Sequence, residues 1–155
     1  MSYKIKEDIM QFEFKSMTES YANEVVSWKY EGEYSVYDVD KNKTDIDEML
    51  NQTEYDCFIA VDDYDEAVGF LECAFDDEDT LEIANFLRPD LTGKGLGNDF
   101  VSACIDFALE NYDYSGDRVK LIVQSFNKRA IKVYERIGFV TIEEGEDWVE
   151  MALDL

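Results

Sequence analysis

Residues 87–98 read L-R-P-D-L-T-G-K-G-L-G-N, with glycines at alternate positions 93, 95 and 97. An apolar, strand-like run precedes these glycines, and a helix-like run follows them. Because glycine adopts backbone angles closed to other residues, such a turn can aim several N–H groups at one ligand and let it approach closely. The start of the following helix adds partial positive charge. The segment therefore predicts an anion-binding turn for a phosphorylated cofactor.

Two common phosphate-binding loops do not fit this spacing. A Walker A loop needs Ser or Thr directly after its Gly-Lys pair, whereas Lys94 is followed by Gly95. The dinucleotide fingerprint is G-x-G-x-x-G near the start of a βαβ unit, whereas this chain has G-x-G-x-G late in its sequence. Taken alone, the glycines are equally compatible with a turn that only joins a strand to a helix.

A second patterned segment spans residues 120–140 and reads K-L-I-V-Q-S-F-N-K-R-A-I-K-V-Y-E-R-I-G-F-V. Its pattern predicts a strand, a polar junction at Asn127, a short helix and another strand. Gly138 is the expected stop of that helix, because glycine accepts the backbone conformation common just after a helix end.

Together the two segments resemble the GCN5-related N-acetyltransferase (GNAT) superfamily. In that family the turn pattern is Gln or Arg, two further residues, then Gly-x-Gly or Gly-x-Ala. Residues 92–97 match this pattern except at the first position, which is Thr92. The second family motif is Asn-x-x-Ala-x-x-x-Tyr-x-x-x-Gly-Phe, and it is matched at Asn127, Ala130, Tyr134, Gly138 and Phe139. The two motifs cover about residues 80–140.

The order of predicted elements is that of an α+β protein, and the resemblance implies the GNAT (acyl-CoA N-acyltransferase) fold. This fold has a mixed, mostly antiparallel central sheet of six to seven strands with about four helices. Hydrophobic periodicity predicts strands at residues 10–17, 57–61, 67–75, 80–87, 119–124 and 139–142 and at the C-terminus. It predicts helices at about 19–30, 45–52, 97–112 and 128–137, with a loop over 31–44.

The composition indicates one globular domain, residues 1–155. Hydrophobic residues make up 46% of the chain, enough to bury a core, and no apolar run is long enough to cross a membrane. Residues 1–8 lack the apolar segment of a signal peptide. Cys57, Cys73 and Cys104 are odd in number and lie in apolar contexts, which indicates buried thiols and a cytoplasmic location. Since the chain has no histidine, a His-based triad and a His-ligated zinc are excluded, and no metal site is expected.

The net charge of −23 is unevenly spread along the chain. Residues 1–87 carry 6 basic and 24 acidic groups, whereas residues 88–136 carry 8 basic and 7 acidic groups. The nearly neutral part contains both motifs, which is consistent with binding of the negatively charged coenzyme A. Clustering of charge on solvated faces by chance is the alternative. No basic stripe is present, so nucleic acid is not an expected partner.

The resemblance implies transfer of an acetyl group from acetyl-CoA to a primary amine, by direct attack in a ternary complex. It implies that the strand before the turn bonds the pantetheine arm, and that backbone groups of the turn bind the pyrophosphate. The implied cofactor-binding residues are Phe86, Leu87, Gly93, Lys94, Gly95, Leu96, Gly97 and Asn98. Asn127 is expected to cap its helix, to bind the cofactor, or both.

Two side chains are candidates for proton transfer. Tyr134 is the candidate general acid, because a phenol stays protonated at neutral pH and can protonate a departing thiolate. A tyrosine that only fills the core is the alternative. Glu82 is the candidate base, directly or through water, although a solvated carboxylate at a strand end is equally compatible with its position. The positive charges of Lys128, Arg129 and Lys132 lie in the first turns of the last helix, where they face either solvent or cofactor phosphates.

The acceptor and two other functions stay open at this point. A polyamine, an aminoglycoside, an amino acid or a protein N-terminus is a possible acceptor. The acidic loops at residues 31–40 and 76–79 either attract a cationic acceptor or are solvated surface, and solvated surface is the simpler interpretation. A non-catalytic acyl-CoA sensor is one alternative, because residues 121–123 provide no glutamate on the fifth strand. An acidic interaction protein is the other. We expect a monomer or a homodimer, without a membrane partner.

Overall fold

The computed structural model describes residues 10–39, 43–51 and 54–155 of the chain. Within these residues, seven strands form one sheet in the order β1-β2-β3-β4-β5-β7-β6. The strands are β1 (Glu13–Ser16), β2 (Asp56–Val61), β3 (Ala67–Phe75), β4 (Leu81–Leu87), β5 (Arg118–Gln124), β6 (Val140–Glu144) and β7 (Trp148–Asp154). All neighbouring strands are antiparallel except β4 and β5, which are parallel. The predicted mixed, mostly antiparallel sheet is confirmed.

The described residues also form four α-helices and two short 3-10 helices. The α-helices are α1 (Glu19–Ser27), α2 (Lys43–Asn51), α3 (Gly97–Asn111) and α4 (Lys128–Ile137), and the 3-10 helices are Gly32–Tyr37 and Pro89–Leu91. None of the described helices is long and apolar enough to cross a bilayer. The predicted α+β fold is therefore confirmed.

Several predicted boundaries differ from the structure, and the predicted loop over 31–44 contains the 3-10 helix Gly32–Tyr37 and the start of α2 at Lys43. The first strand begins at Glu13 rather than at residue 10. The first helix ends at Ser27 rather than near residue 30, because Trp28 is extended (ψ 124°) and the Tyr30 N–H is bonded by the Asp38 carboxylate instead (2.8 Å). That bond closes residues 30–38 into a compact segment containing the first 3-10 helix. The predicted helix 45–52 ends at Asn51 in the described part, since residue 52 lies outside it.

The two faces of the sheet bury separate hydrophobic clusters. On one face α3 and α4 pack against β3, β4, β5 and β7, with Phe100, Leu121, Tyr134 and Phe139 in the core. On the other face α1 and α2 pack against β2 and β3. Successive side chains of a strand point to opposite faces of the sheet, so more buried and less buried residues alternate along β4 and β5.

The parallel pair β4–β5 is joined only at its beginning. Pairing is limited to Leu81 with Val119 and Glu82 with Lys120, although each strand has seven residues. Beyond this point β4 and β5 no longer pair with each other, and residues 83–87 of β4 and 121–123 of β5 line a common cavity. The two strands therefore separate towards their C-terminal ends and leave a cleft through the sheet.

Candidate active site

The cavity in this cleft has a volume of about 430 Å³. Its walls are residues 83–87 of β4 and 121–123 of β5, the glycine turn, one side of α4 and three tyrosines from the segment 30–38. Where β4 and β5 separate, their facing N–H and C=O groups are no longer used by the neighbouring strand. These groups can therefore bond an extended ligand. The cleft therefore suits a long ligand that runs between two strands.

The glycine turn has the backbone conformation predicted from its sequence. Gly93 has φ +71° and Gly95 has φ +79°, angles that other residues rarely adopt. A Cβ added to Gly95 would meet no atom within 4 Å, so the backbone there borders open space. Gly97 serves packing instead, since a Cβ at this position would lie 3.0 Å from Val133 Cγ2 on α4.

The first N–H groups of α3 follow directly after this turn and add hydrogen-bond donors to it. The N-cap residue of α3 is Leu96, which makes no side-chain capping hydrogen bond, so the first N–H groups of the helix keep their capacity to bind an anion. Thr92, which stands where the family pattern has Gln or Arg, donates its hydroxyl to the Pro89 carbonyl (2.8 Å). This bond closes the 3-10 turn that leads into the glycines.

Arg129 adds a positive charge beside the turn. Its Nη1 lies 3.2 Å from the position that a Cβ on Gly93 would take, and its guanidinium lies over the Tyr34 ring at 4.8 Å from the centroid. None of the ion pairs among the described residues involves Arg129. The backbone amides and this guanidinium together fit a diphosphate, because both are strong donors to phosphate oxygens.

Asn127 joins α4 to the opposite wall of the cleft. Its Oδ1 accepts the Ala130 N–H (3.1 Å), which caps α4 as predicted, and its Nδ2 donates to the Tyr37 hydroxyl (3.0 Å). The residue also lines the cavity. Its side chain therefore stabilises both the helix and the tyrosine segment.

We expect Asn127→Ala to lower the free energy of unfolding by about 1–2 kcal/mol, since it removes the helix cap and the bond to Tyr37. Asn127→Asp is the matched control, because it keeps the capping oxygen and loses only the donor to Tyr37. It should cost less than the alanine variant. Urea unfolding of both variants checks this, and equal losses would contradict a capping role.

Tyr134 lies deep in the cleft, on α4. Its side chain is 7% exposed, lines the cavity and packs against Phe139 with ring centroids 5.6 Å apart. Burial raises the pKa of its phenol, and the nearby Cys104 and Tyr37 raise this pKa further, whereas the Asn85 side chain opposes the rise. The phenol therefore holds its proton firmly at neutral pH.

Glu82 and three turn residues lie away from the cavity wall. Glu82 is the last position of β4 that pairs with β5, with Oε1 3.5 Å from Lys120 Nζ, and its side chain is 36% exposed. Lys120 also pairs with Asp76 at 2.6 Å. Whereas Phe86, Leu87, Gly93, Gly95, Gly97, Asn127 and Tyr134 line the cavity, Glu82, Lys94, Leu96 and Asn98 do not.

The tyrosines of segment 30–38 were missed by the sequence analysis. The Tyr30 hydroxyl donates to the Leu87 carbonyl at the end of β4 (2.5 Å), and Tyr37 is bonded by Asn127 beyond the end of β5. The segment thus bridges both sides of the cleft. The only signal was composition, since three tyrosines occur within eight residues, Y-E-G-E-Y-S-V-Y.

The described residues contain no group of three or more His, Cys, Asp or Glu side chains that could hold a metal ion. Cys57, Cys73 and Cys104 are free and buried, as predicted. Burial raises the pKa of all three thiols, so they stay protonated and unreactive at neutral pH.

Comparison with known proteins adds family relationships to this geometry. The sequence profile of the Acetyltransferase (GNAT) family matches residues 18–139. An uncharacterised N-acetyltransferase of Methanocaldococcus jannaschii is 30% identical over 110 residues. This alignment covers 66% of the chain and 47% of the relative, so the chain spans about half the length of that curated relative.

Solved structures share the fold over nearly the whole chain. Aminoglycoside acetyltransferase AAC(6')-Ib in complex with coenzyme A has a TM-score of 0.75 at 20% identity, with 93% of this chain and 95% of that chain covered. A chimera of the spermidine N-acetyltransferase SpeG from Vibrio cholerae and hSSAT has a TM-score of 0.71 at 16% identity. This match also covers 93% of this chain and 95% of that chain. At these identities the likeness concerns the fold alone.

Proposed function

Because the chain belongs to the acetyltransferase (GNAT) family, we propose that it transfers an acetyl group from acetyl-CoA to a primary amine, by direct attack in a ternary complex. One observation carries this proposal. The glycine turn, Arg129 and the buried phenol of Tyr134 line one cavity, as the phosphate site and the proton donor of this reaction would. Acetyl-CoA, when bound, supplies the activated acetyl thioester.

One group of residues would bind the pyrophosphate of the cofactor, and a second group would bind its pantetheine arm. Backbone N–H groups of residues 93–98 would hold the pyrophosphate, so Lys94, Leu96 and Asn98 contribute through their main chain rather than their side chains. Arg129 would neutralise part of the phosphate charge. The separated edge of β4 at Phe86 and Leu87 would bond the pantetheine arm as an added strand does.

Tyr134 would protonate the departing sulfur as general acid, since its pKa is raised and its proton is therefore present at neutral pH. Glu82 stays our candidate for the base. Because it does not line the cavity, the amine proton would reach it through a bridging water. A lysine-type amine needs such help, since its deprotonation at pH 7 costs roughly 4–5 kcal/mol.

The acceptor we propose is a cationic amine. The rings of Tyr30, Tyr34 and Tyr37 line the cavity, and aromatic faces attract cations. Glu31 and Glu33 are exposed within the same segment and add negative charge. The names of the two structural neighbours refer to spermidine and to aminoglycosides, which are cationic amines.

The test is thiol release from acetyl-CoA against spermidine, an aminoglycoside, an amino acid and a peptide N-terminus, with calorimetry of CoASH binding alongside. Turnover with an amine supports the proposal. Binding of CoASH without turnover on any of these amines would instead identify an acyl-CoA sensor. Absence of binding heat would contradict the phosphate site itself.

We expect Arg129→Gln to weaken CoASH binding about tenfold, which corresponds to loss of roughly 1.4 kcal/mol from one charge-assisted contact. The dependence of the Kd on salt should become shallower, because one cation no longer faces the phosphates. Lys128→Gln is the matched control, since Lys128 is the preceding residue on α4 and does not line the cavity. Equal effects of the two substitutions would show that only net charge matters.

A further inference from the structure

Asn85, on β4, has a side-chain amide whose N–H groups lack a hydrogen-bond acceptor in the described part of the fold. Its Nδ2 is buried, and no partner for it exists among the described residues. A buried donor without an acceptor destabilises a protein by about 1–3 kcal/mol, and a leucine of similar shape would avoid this cost. Stability therefore does not explain an amide at this position.

The position of Asn85 relates this amide to Tyr134. The buried residues Ile83 and Leu87 alternate with Asn85 along β4, so all three side chains point to the sheet face covered by α3 and α4. Tyr134 belongs to the core on that same face, and Asn85 and Tyr134 both line the cavity. The Asn85 side chain also acts directly on the phenol of Tyr134, so the unsatisfied donor lies in the part of the cleft where the phenol is buried.

The contact between the two side chains favours the ionised phenol. Burial is the dominant influence on the pKa of Tyr134 and raises it, whereas the Asn85 side chain acts in the opposite direction. The contact is too loose in this structure to count as a hydrogen bond, since Nδ2 has no partner. Hydrogen bonds of catalytic groups are often long without substrate and tighten in the reacting complex.

We propose that Asn85 is a positioning residue for Tyr134, whose Nδ2–H donates to the phenolate oxygen that forms during acetyl transfer. The proposal rests on the function proposed above. When the C–S bond breaks, its electron pair stays on sulfur, and sulfur takes the proton from the Tyr134 hydroxyl. The resulting phenolate is held by Asn85 until the proton that the attacking amine passes to Glu82 through water returns through solvent and restores the phenol. No side chain is consumed and no oxidant is involved.

The first measurement does not depend on activity. Asn85→Leu keeps the shape of the side chain and removes the unsatisfied donor, so we expect its melting temperature to rise by about 2–4 °C. CoASH affinity should stay within twofold of wild type. A lower melting temperature would mean that the amide is bonded and structural, which overturns the proposal.

The second measurement is a double-mutant cycle with Tyr134→Phe. We expect Asn85→Leu to lower kcat about tenfold when Tyr134 is present and to change kcat less than twofold when Tyr134 is replaced. Equal losses in both backgrounds would show that Asn85 does not act through the phenol, and an unchanged kcat in the single variant would overturn the proposal directly. If the wild-type protein shows no turnover, the proposed function fails, and this inference fails with it.

Discussion

Tyr134→Phe is expected to lower kcat by about 100-fold or more, because general acid catalysis contributes roughly 10²–10⁴ in rate. Without the phenol, sulfur would have to leave as an unprotonated thiolate or take its proton from water. The affinity for CoASH should be nearly unchanged, since in the proposed arrangement the hydroxyl would face the thiol end of the cofactor and the glycine turn would hold the pyrophosphate. Single-turnover rates and calorimetry of CoASH binding separate these two effects.

Tyr114→Phe is the matched control for this substitution. The Tyr114 hydroxyl donates to the Arg118 carbonyl (2.8 Å) and accepts the Leu81 N–H (3.3 Å), and the residue does not line the cavity. Its loss should lower stability and leave kcat unchanged. Unchanged kcat in Tyr134→Phe with several amines would rule out the general-acid role and leave Tyr134 as a core residue.

The raised pKa of Tyr134 also predicts the shape of the pH profile. A group whose pKa is raised keeps its proton to higher pH than usual, so ionisation of Tyr134 should not reduce kcat between pH 7 and 9. Any rise in rate over that range would then reflect deprotonation of the amine.

The sequence was sufficient to predict features that depend on neighbouring residues. Positive φ at Gly93 and Gly95, the cap at Asn127 and the stop of α4 at Gly138 are each set within about four residues of the chain. Burial along β5 follows an alternation with a period of two, whereas β2 and β3 are buried at consecutive positions because both faces of the sheet are covered there. These local rules, together with the two motifs, were enough to place the fold in its family.

Contacts between distant parts of the chain could not be predicted in this way. The bond from Tyr30 to Leu87 joins residues 57 positions apart, and the bond from Asn127 to Tyr37 joins residues 90 positions apart. No spacing rule encodes such pairs. Asn85 was missed for a different reason, since a single amide in a mostly apolar strand carries no functional signal until the structure shows that its donor has no partner.

Glu82 illustrates how strand register limits a sequence-based assignment. Its place on the fourth strand was predicted, but its neighbour on β5 is fixed only by the pairing, which brings Lys120 to 3.5 Å. Glu82 thus lies in an ion-pair network with Lys120 and Asp76 at the paired start of β4 and β5, and it does not line the cavity. Glu82→Gln therefore tests this part of the proposal separately from Tyr134.

The turn itself is tested by Gly95→Ala, for which we expect the Kd for CoASH to rise at least 100-fold. A Cβ there would occupy the open space beside the backbone, where phosphate oxygens would have to approach the amides. Loss of two charge-assisted hydrogen bonds, at about 1.5 kcal/mol each, is sufficient for this change.

Gly32→Ala is a closely matched control. Gly32 has φ +59° and, like Gly95, open space around the position of an added Cβ, so both substitutions impose similar backbone strain. Each should therefore lower the free energy of unfolding by about 1–2 kcal/mol. Only Gly95→Ala should abolish tight CoASH binding, because Gly32 is not part of the turn. If both variants bind CoASH as the wild type does, the diphosphate is held elsewhere and the arrangement of cofactor and phenol proposed for this cleft is wrong.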